Sequence, residues 1–332
     1  MEGNQRAISL VHERFGDPSE VLEVRETEIP APGPGEVLIR MEAAAIHPSD
    51  LGMVGGSYGR LRDLPAVAGR EGVGKVVATG AGVDDEVWLD RRVRMVEDEG
   101  VWRSHQIAAA AELSAVPQGV SAEQAALSAV NPTTALRLLE DFARLRPGDW
   151  IVQNAGNSAV GLAVIQFAAA RGLRTASLVR RKELFAPLED LGADLVVLDE
   201  RGAVETIRGA RGGDRMPLGL NSVGGTSVLN LAGSVSEGGT VVTFGAMTGE
   251  KIRFPTRQLI FSDITFRGFW MDRWNRTHPP AERQALLDRV YGAIRDGELR
   301  TPVEKVYPLR DFREALAHNA SGRFGKVLFG DV

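Results

Sequence analysis

The chain has 332 residues, enough for two domains that each bury a core. Its 43% hydrophobic and 25% charged content is ordinary for a globular protein, and a net charge of −5 leaves no basic footprint for nucleic acid. There is no cysteine, which excludes disulfides, cysteine nucleophiles and every cysteine-ligated zinc site.

The segment 1–16, MEGNQRAISLVHERFG, is charged throughout and lacks the apolar stretch of a secretory signal. No apolar run approaches the roughly 20 residues that span a bilayer. A cytosolic protein without a membrane partner is the expectation. Residues 1–127 read as β-rich. Strands are predicted at Ala7–His12, Val37–Ala44 and Gly72–Thr79, with two more at Val87–Val96 and Trp102–Ala109, and PAPGPGE at 30–36 is a Pro/Gly loop. This pattern suggests a barrel-like β domain. Two helices between residues 117 and 150 lead out of it.

Trp150–Lys182 then reads strand, tight turn, helix, strand, basic cluster. Trp150, Ile151 and Val152 form the apolar run of a doubly buried strand. Asn154–Gly161 contains only small or short polar residues, and Val160–Arg171 carries apolar residues at helical spacing. Small residues between a strand and a helix let the backbone approach a pyrophosphate at the helix N-terminus. The full G-x-G-x-x-G fingerprint is absent, since only Gly156 and Gly161 are glycines here. Taken alone, the turn fits an ordinary strand–helix connection as well as a nucleotide site. The end of the second strand separates the two readings. An NAD site places an acidic residue there for the ribose; this chain has Arg180, Arg181 and Lys182, which suit a 2′-phosphate and favour NADPH.

Beyond Lys182, helices at Glu183–Leu191 and Thr226–Ala232 alternate with strands at Leu195–Leu198, Leu218–Asn221, Gly239–Phe244 and Ile264–Phe269, the rhythm of a doubly wound parallel sheet. A helix starts near Pro279 and Pro280 and stops at Gly297. The closing GKVLFG is a strand predicted to rejoin the β domain. The expected division is 1–127 with 271–332 for the β-rich domain and 128–270 for the cofactor domain.

Seven stretches carry a resemblance: PSDLGMVGGSYG (48–59), LPAVAGREGVGKVVATG (64–80), VNPTTALRLLEDF (130–142), QNAGNSAVGLAVIQFAA (153–169), LNSVGG (220–225), TFGAM (243–247) and RGFWMDRWNRTH (267–278). In this order they resemble the zinc-free medium-chain dehydrogenase/reductases, and within them the 2-enoyl thioester reductases of the mitochondrial trans-2-enoyl-CoA reductase type. The zinc members of the superfamily hold metal where this chain has His47, Arg70 and Glu71, a set too poor in ligands for catalytic zinc. The resemblance implies an α/β protein with a GroES-like β-rich catalytic domain and a Rossmann domain. It implies NADPH-dependent reduction of a trans-2-enoyl thioester carried on CoA or acyl carrier protein, in a homodimer. Tyr58 matches the family's catalytic acid and Asn131 a residue near the nicotinamide. Asn157, Ser158, Ala159 and Val160 match the pyrophosphate turn; Arg180, Arg181 and Lys182 match the 2′-phosphate clamp. Phe244, Gly245, Ala246 and Met247, with Phe269, Trp270 and Met271, match segments lining the nicotinamide, and Lys326 matches a cofactor lysine. Gly156 and Thr133 depart from the usual Ser or Ala and the usual Cys. For Phe244, Phe269 and Trp270 a plain core role stands beside the cofactor role. The apolar run Leu259–Phe269 is expected to offer a strand edge for dimerisation. A zinc-free quinone oxidoreductase, a reductase of an unusual enone and a non-catalytic NADPH-binding protein remain the alternatives.

Overall fold

The computed structural model describes residues 6–29 and 31–330. Pro30 of the expected 30–36 loop and residues 1–5 of the N-terminal segment lie outside that range. Two compact units divide the chain: Met1–Ala129 with Pro302–Val332, and Val130–Thr301.

The first unit is β-rich, as the turn signals require. Its strands are β1 (Arg6–His12), β2 (Glu23–Glu28), β3 (Glu36–Ala45), β4 (Ala66–Val67), β5 (Gly72–Thr79), β6 (Arg92–Arg94) and β7 (His105–Ala109). The nearly all-polar EVRETE of β2 has no apolar alternation to betray it; it forms by pairing antiparallel along β1. The strand expected over Val87–Val96 is instead a short helix, Asp85–Trp88, capped by Asp84, followed by β6. The cap outweighs the β-branched residues, because Asp84 accepts the Glu86 N–H.

The second unit holds β8 (Trp150–Asn154), β9 (Arg174–Val179), β10 (Leu195–Leu198), β11 (Leu218–Asn221), β12 (Thr240–Thr243) and β13 (Thr265–Gly268). They form one parallel sheet in the order β10-β9-β8-β11-β12-β13. This is the doubly wound Rossmann arrangement. All five β8 residues are buried, as a strand covered on both faces must be. The chain returns to the first unit through β14 (Val303–Tyr307) and β15 (Lys326–Gly330), and β15 pairs with β14 and β3. The closing strand therefore rejoins the β domain.

The expected boundary at 270/271 falls about one helical hairpin too early. Met271, Leu286, Val290, Ala293 and Leu299 pack in one cluster with Ala135, Leu138, Val164 and Phe167 of the cofactor unit. The helices Met271–Thr277 and Pro280–Arg295 thus cover the layer formed by Asn131–Asp141 and Ala159–Ala170. Their apolar stripe does not announce which neighbour it faces. The run Leu259–Phe269 is not continuous strand either: Thr256–Phe261 is helical, and only Thr265–Gly268 pairs, with β12.

Candidate functional site

In the cofactor unit the strand order reverses between β8 and β11. Loops at the carboxyl ends diverge at such a point and leave a crevice. Because the sheet is parallel, the segments after β8, β9, β11, β12 and β13 leave it at one edge. Asn157 and Ser158, Arg180–Lys182, Phe244–Met247 and Phe269–Met271 are therefore gathered there by topology.

The turn after β8 is shaped for close approach. Ala155 takes φ +47°, and a Cβ on Gly156 would lie 2.6 Å from that of Ser177 on β9. A Cβ on Gly161 would meet the Gly156 carbonyl oxygen at 2.6 Å. Both glycines are packing requirements of the tight turn. Ser158 caps the helix Ala159–Ala170, its Oγ accepting the Gly161 N–H at 3.1 Å. Ala159 and Val160 open that helix, where the first N–H groups lack intrahelical acceptors and the dipole is positive. A dinucleotide pyrophosphate fits this donor set. Arg180 and Lys182 are exposed just past β9, with Arg181 half-buried between them. Glu183 follows this cluster directly, and Asp199, after β10, accepts from Ser227 (2.5 Å) and Asn230 (2.7 Å).

A buried polar network missed from the sequence ties these loops together. Asn154, at the end of β8, donates to Asn221 Oδ1 and Ser227 Oγ, both at 2.8 Å, and accepts the Ser222 N–H at 2.8 Å. Asn221 in turn donates to Thr243 Oγ1 at 3.1 Å. The available signal was an asparagine ending each of two apolar strands. Asn131 opens the helix packed against Ala159–Ala170. Phe244 and Phe269 are half-buried against the core, and Phe269 meets Phe142 edge-on at 5.6 Å. Part of the expected nicotinamide wall thus also serves packing.

Tyr58 and Lys326 belong to the β-rich unit. The helix Pro48–Val54 ends at Gly55, and the turn passes through Gly56 at φ +76°. The N–H groups of Ser57 and Tyr58 both donate to the Gly52 carbonyl, at 2.9 and 3.1 Å. This sets the half-buried phenol beside Arg70, whose guanidinium donates to Tyr58 Oη at 2.8 Å. Arg70 follows Gly69, where a Cβ would collide with the Trp102 ring; Gly69 at φ +87° lets the chain between β4 and β5 lie on the core tryptophan.

The residues standing where zinc enzymes keep ligands satisfy one another instead. His47 Nε2 and Glu71 Oε2 are 2.8 Å apart, both buried, and Glu71 also accepts the Ala129 N–H. The Lys326 ammonium donates to the Ile46 carbonyl and lies 3.5 Å from His47 Nδ1. Burial pushes the Lys326 pKa down to about 8. Burial also pushes the carboxyl of Asp50 up, against the pull of His47. No three His, Cys, Asp or Glu side chains are gathered to hold a metal among the described residues. With Arg70 in a ligand's place and no cysteine, this donor set does not fit a zinc ion.

Two families match the two units: the Alcohol dehydrogenase GroES-like domain over residues 33–131, and Zinc-binding dehydrogenase over residues 159–289. The mitochondrial enoyl-[acyl-carrier-protein] reductase of Bos taurus is 42% identical over 316 residues, covering 94% of this chain and 85% of that protein. The chain belongs to the enoyl-[acyl-carrier-protein] reductase family. An Etr1p mutant solved in complex with NADP and crotonyl-CoA matches with a TM-score of 0.89 and 25% identity, covering 98% of this chain and all of that one. A mycobacterial quinone oxidoreductase matches with a TM-score of 0.81 and 26% identity over 98% of this chain and all of that one. The cytosolic expectation is corrected by the family: the curated enoyl-[acyl-carrier-protein] reductases that match are mitochondrial.

Proposed function

We propose that this chain reduces the 2,3 double bond of trans-2-enoyl thioesters, on CoA or acyl carrier protein, with NADPH. The observation that carries the reading is 42% identity over 94% of the chain to an enoyl-[acyl-carrier-protein] reductase. The tyrosine of the GGSYG stretch, held by a guanidinium, agrees with it. NADPH, when bound, supplies the hydride that reaches the β-carbon. The turn Asn157–Val160 holds its pyrophosphate, and Arg180, Arg181 and Lys182 hold its 2′-phosphate. Asn131, Phe244–Met247 and Phe269–Met271 flank its nicotinamide. Tyr58 gives its proton to the α-carbon. A phenol is protonated at neutral pH, so it serves as donor without special tuning. Lys326 acts from within the His47–Glu71 cluster, orienting the backbone at Ile46.

The second reading, quinone reduction, rests on the likeness to the quinone oxidoreductase, and it needs no acidic tyrosine. Turnover of crotonyl-CoA with NADPH, compared with 1,4-naphthoquinone, separates the two. Efficient reduction of crotonyl-CoA is expected; turnover of the quinone alone would reject the thioester reading.

The same chain forms a homodimer in this proposal. Phe254, Ile260 and Phe261 are 58%, 66% and 72% exposed beside the terminal strand β13. Large apolar side chains at a sheet edge favour association with a second copy. Sedimentation at micromolar concentration should show a dimer, and Ile260→Glu with Phe261→Glu should yield a monomer. A monomeric parent protein would rule the dimer out.

A further inference from the structure

We infer that Arg70 is the positioning residue of the proton donor: its guanidinium aims the Tyr58 hydroxyl and stabilises the phenolate left when the proton departs. The inference rests on the enoyl reductase reading and deepens it. Arg70 is 5% exposed. It donates to Tyr58 Oη at 2.8 Å, while its Nε and second terminal nitrogen donate to Glu97 Oε1 at 2.7 and 2.5 Å. Its guanidinium carbon lies 5.1 Å from the centre of the Tyr58 ring. Glu97 is itself set in a braced loop. Arg62 donates to the backbone carbonyls of Glu97, Asp98, Val67 and Gly69, joining residues 97–98 to the segment between β4 and β5 that carries Arg70. Arg60 pairs with Asp98 at 2.9 Å.

A guanidinium has donors and no acceptor. The hydrogen on Tyr58 Oη therefore cannot point at Arg70, and the bond from Arg70 orients it elsewhere. In the reaction the O–H bond breaks, a C–H bond forms at the α-carbon, and the electron pair stays on the phenolic oxygen. A hydrogen bond from a cation to a neutral oxygen thereby becomes one between opposite charges as the transition state is approached. Such a contact strengthens with developing charge and accelerates the step. Water then returns a proton to the phenolate. Arg70 occupies a metal-ligand position of the zinc members, so a fixed protein cation stands near that place.

Two measurements test this. In the protein without substrate, the rise of tyrosinate absorbance with pH is recorded, and the Tyr58→Phe protein, which keeps Tyr291 and Tyr307, is subtracted. Arg70→Gln should move the Tyr58 transition to higher pH. Glu97→Gln, which keeps Arg70 but removes its counter-charge, should move it to lower pH. If Arg70→Gln does not fold, Glu97→Gln decides alone; an unmoved transition in a folded variant overturns the inference. With crotonyl-CoA, Arg70→Gln should lower turnover roughly ten- to a hundredfold while NADPH binding is kept. Adding Arg70→Gln to Tyr58→Phe should cost little more; multiplying losses would place Arg70 outside the proton transfer. Full turnover in Tyr58→Phe would defeat the acid role of Tyr58 and Arg70's part in it together. Impaired Tyr58→Phe with an unaffected Arg70→Gln would defeat the Arg70 inference alone.

Discussion

Tyr58→Phe should lower turnover on crotonyl-CoA at least tens-fold and leave NADPH affinity nearly unchanged. The substitution keeps the ring over the Arg70 guanidinium and removes only the oxygen that accepts its hydrogen bond. Arg70 retains Glu97 through two of its nitrogens, so no buried cation is stranded. The effect then reports chemistry in place of folding. A positioned general acid contributes roughly 10²- to 10⁴-fold. A tyrosine that merely packs on the acyl chain would contribute through ring area, which phenylalanine preserves. The run Gly55-Gly56-Ser57 before it would suit either role, and only the hydroxyl distinguishes them. Steady-state rates with saturating NADPH, and fluorescence titration of NADPH binding, decide the matter. Most of the turnover surviving in the phenylalanine protein would make Tyr58 a lid contact.

The second large effect concerns cofactor choice. Arg180→Ala with Arg181→Ala should weaken NADPH tens-fold or more and NADH little. Each charge-assisted contact to a phosphate is worth about 1.5–3 kcal/mol, and the exposure of Arg180 places its share at the lower end because solvent screens it. The affinity gap between the two cofactors should also narrow with added salt in the parent protein. β9 ends at Val179 and is followed directly by Arg180, Arg181 and Lys182, where an NAD site places an acid for the ribose 2′-hydroxyl. Dissociation constants for both cofactors provide the check. Equal losses would reduce the cluster to a solvated loop.

The sequence by itself determined the features that depend on neighbours along the chain. The strand–turn–helix–strand of residues 150–179 was legible because a buried strand and an apolar helix have different periods. The basic cluster lay at a set distance after the turn. The misfit to zinc needed only composition and the identity of residue 70. The resemblance supplied Tyr58, which no spacing rule marks.

The tertiary structure decided what depends on partners far apart. The helix Pro280–Arg295 carries an apolar stripe that any core would accept, and only packing against Asn131–Asp141 assigns it to the cofactor unit. The polar β2 is a strand because β1 supplies its hydrogen bonds. Asn154 reads as the start of a turn and Asn221 as a strand end, and only the parallel sheet places the two side by side. Lys326 and His47 stand 279 residues apart and meet because β15 pairs with β3. Arg70 read as a charge that repels metal; its donors are spent on Tyr58 and Glu97, a role visible only once the loops close on each other. Local periodicity is written in the chain because it follows from backbone geometry. Long-range pairing is selected by the free energy of the whole fold, and no single stretch of sequence contains that choice.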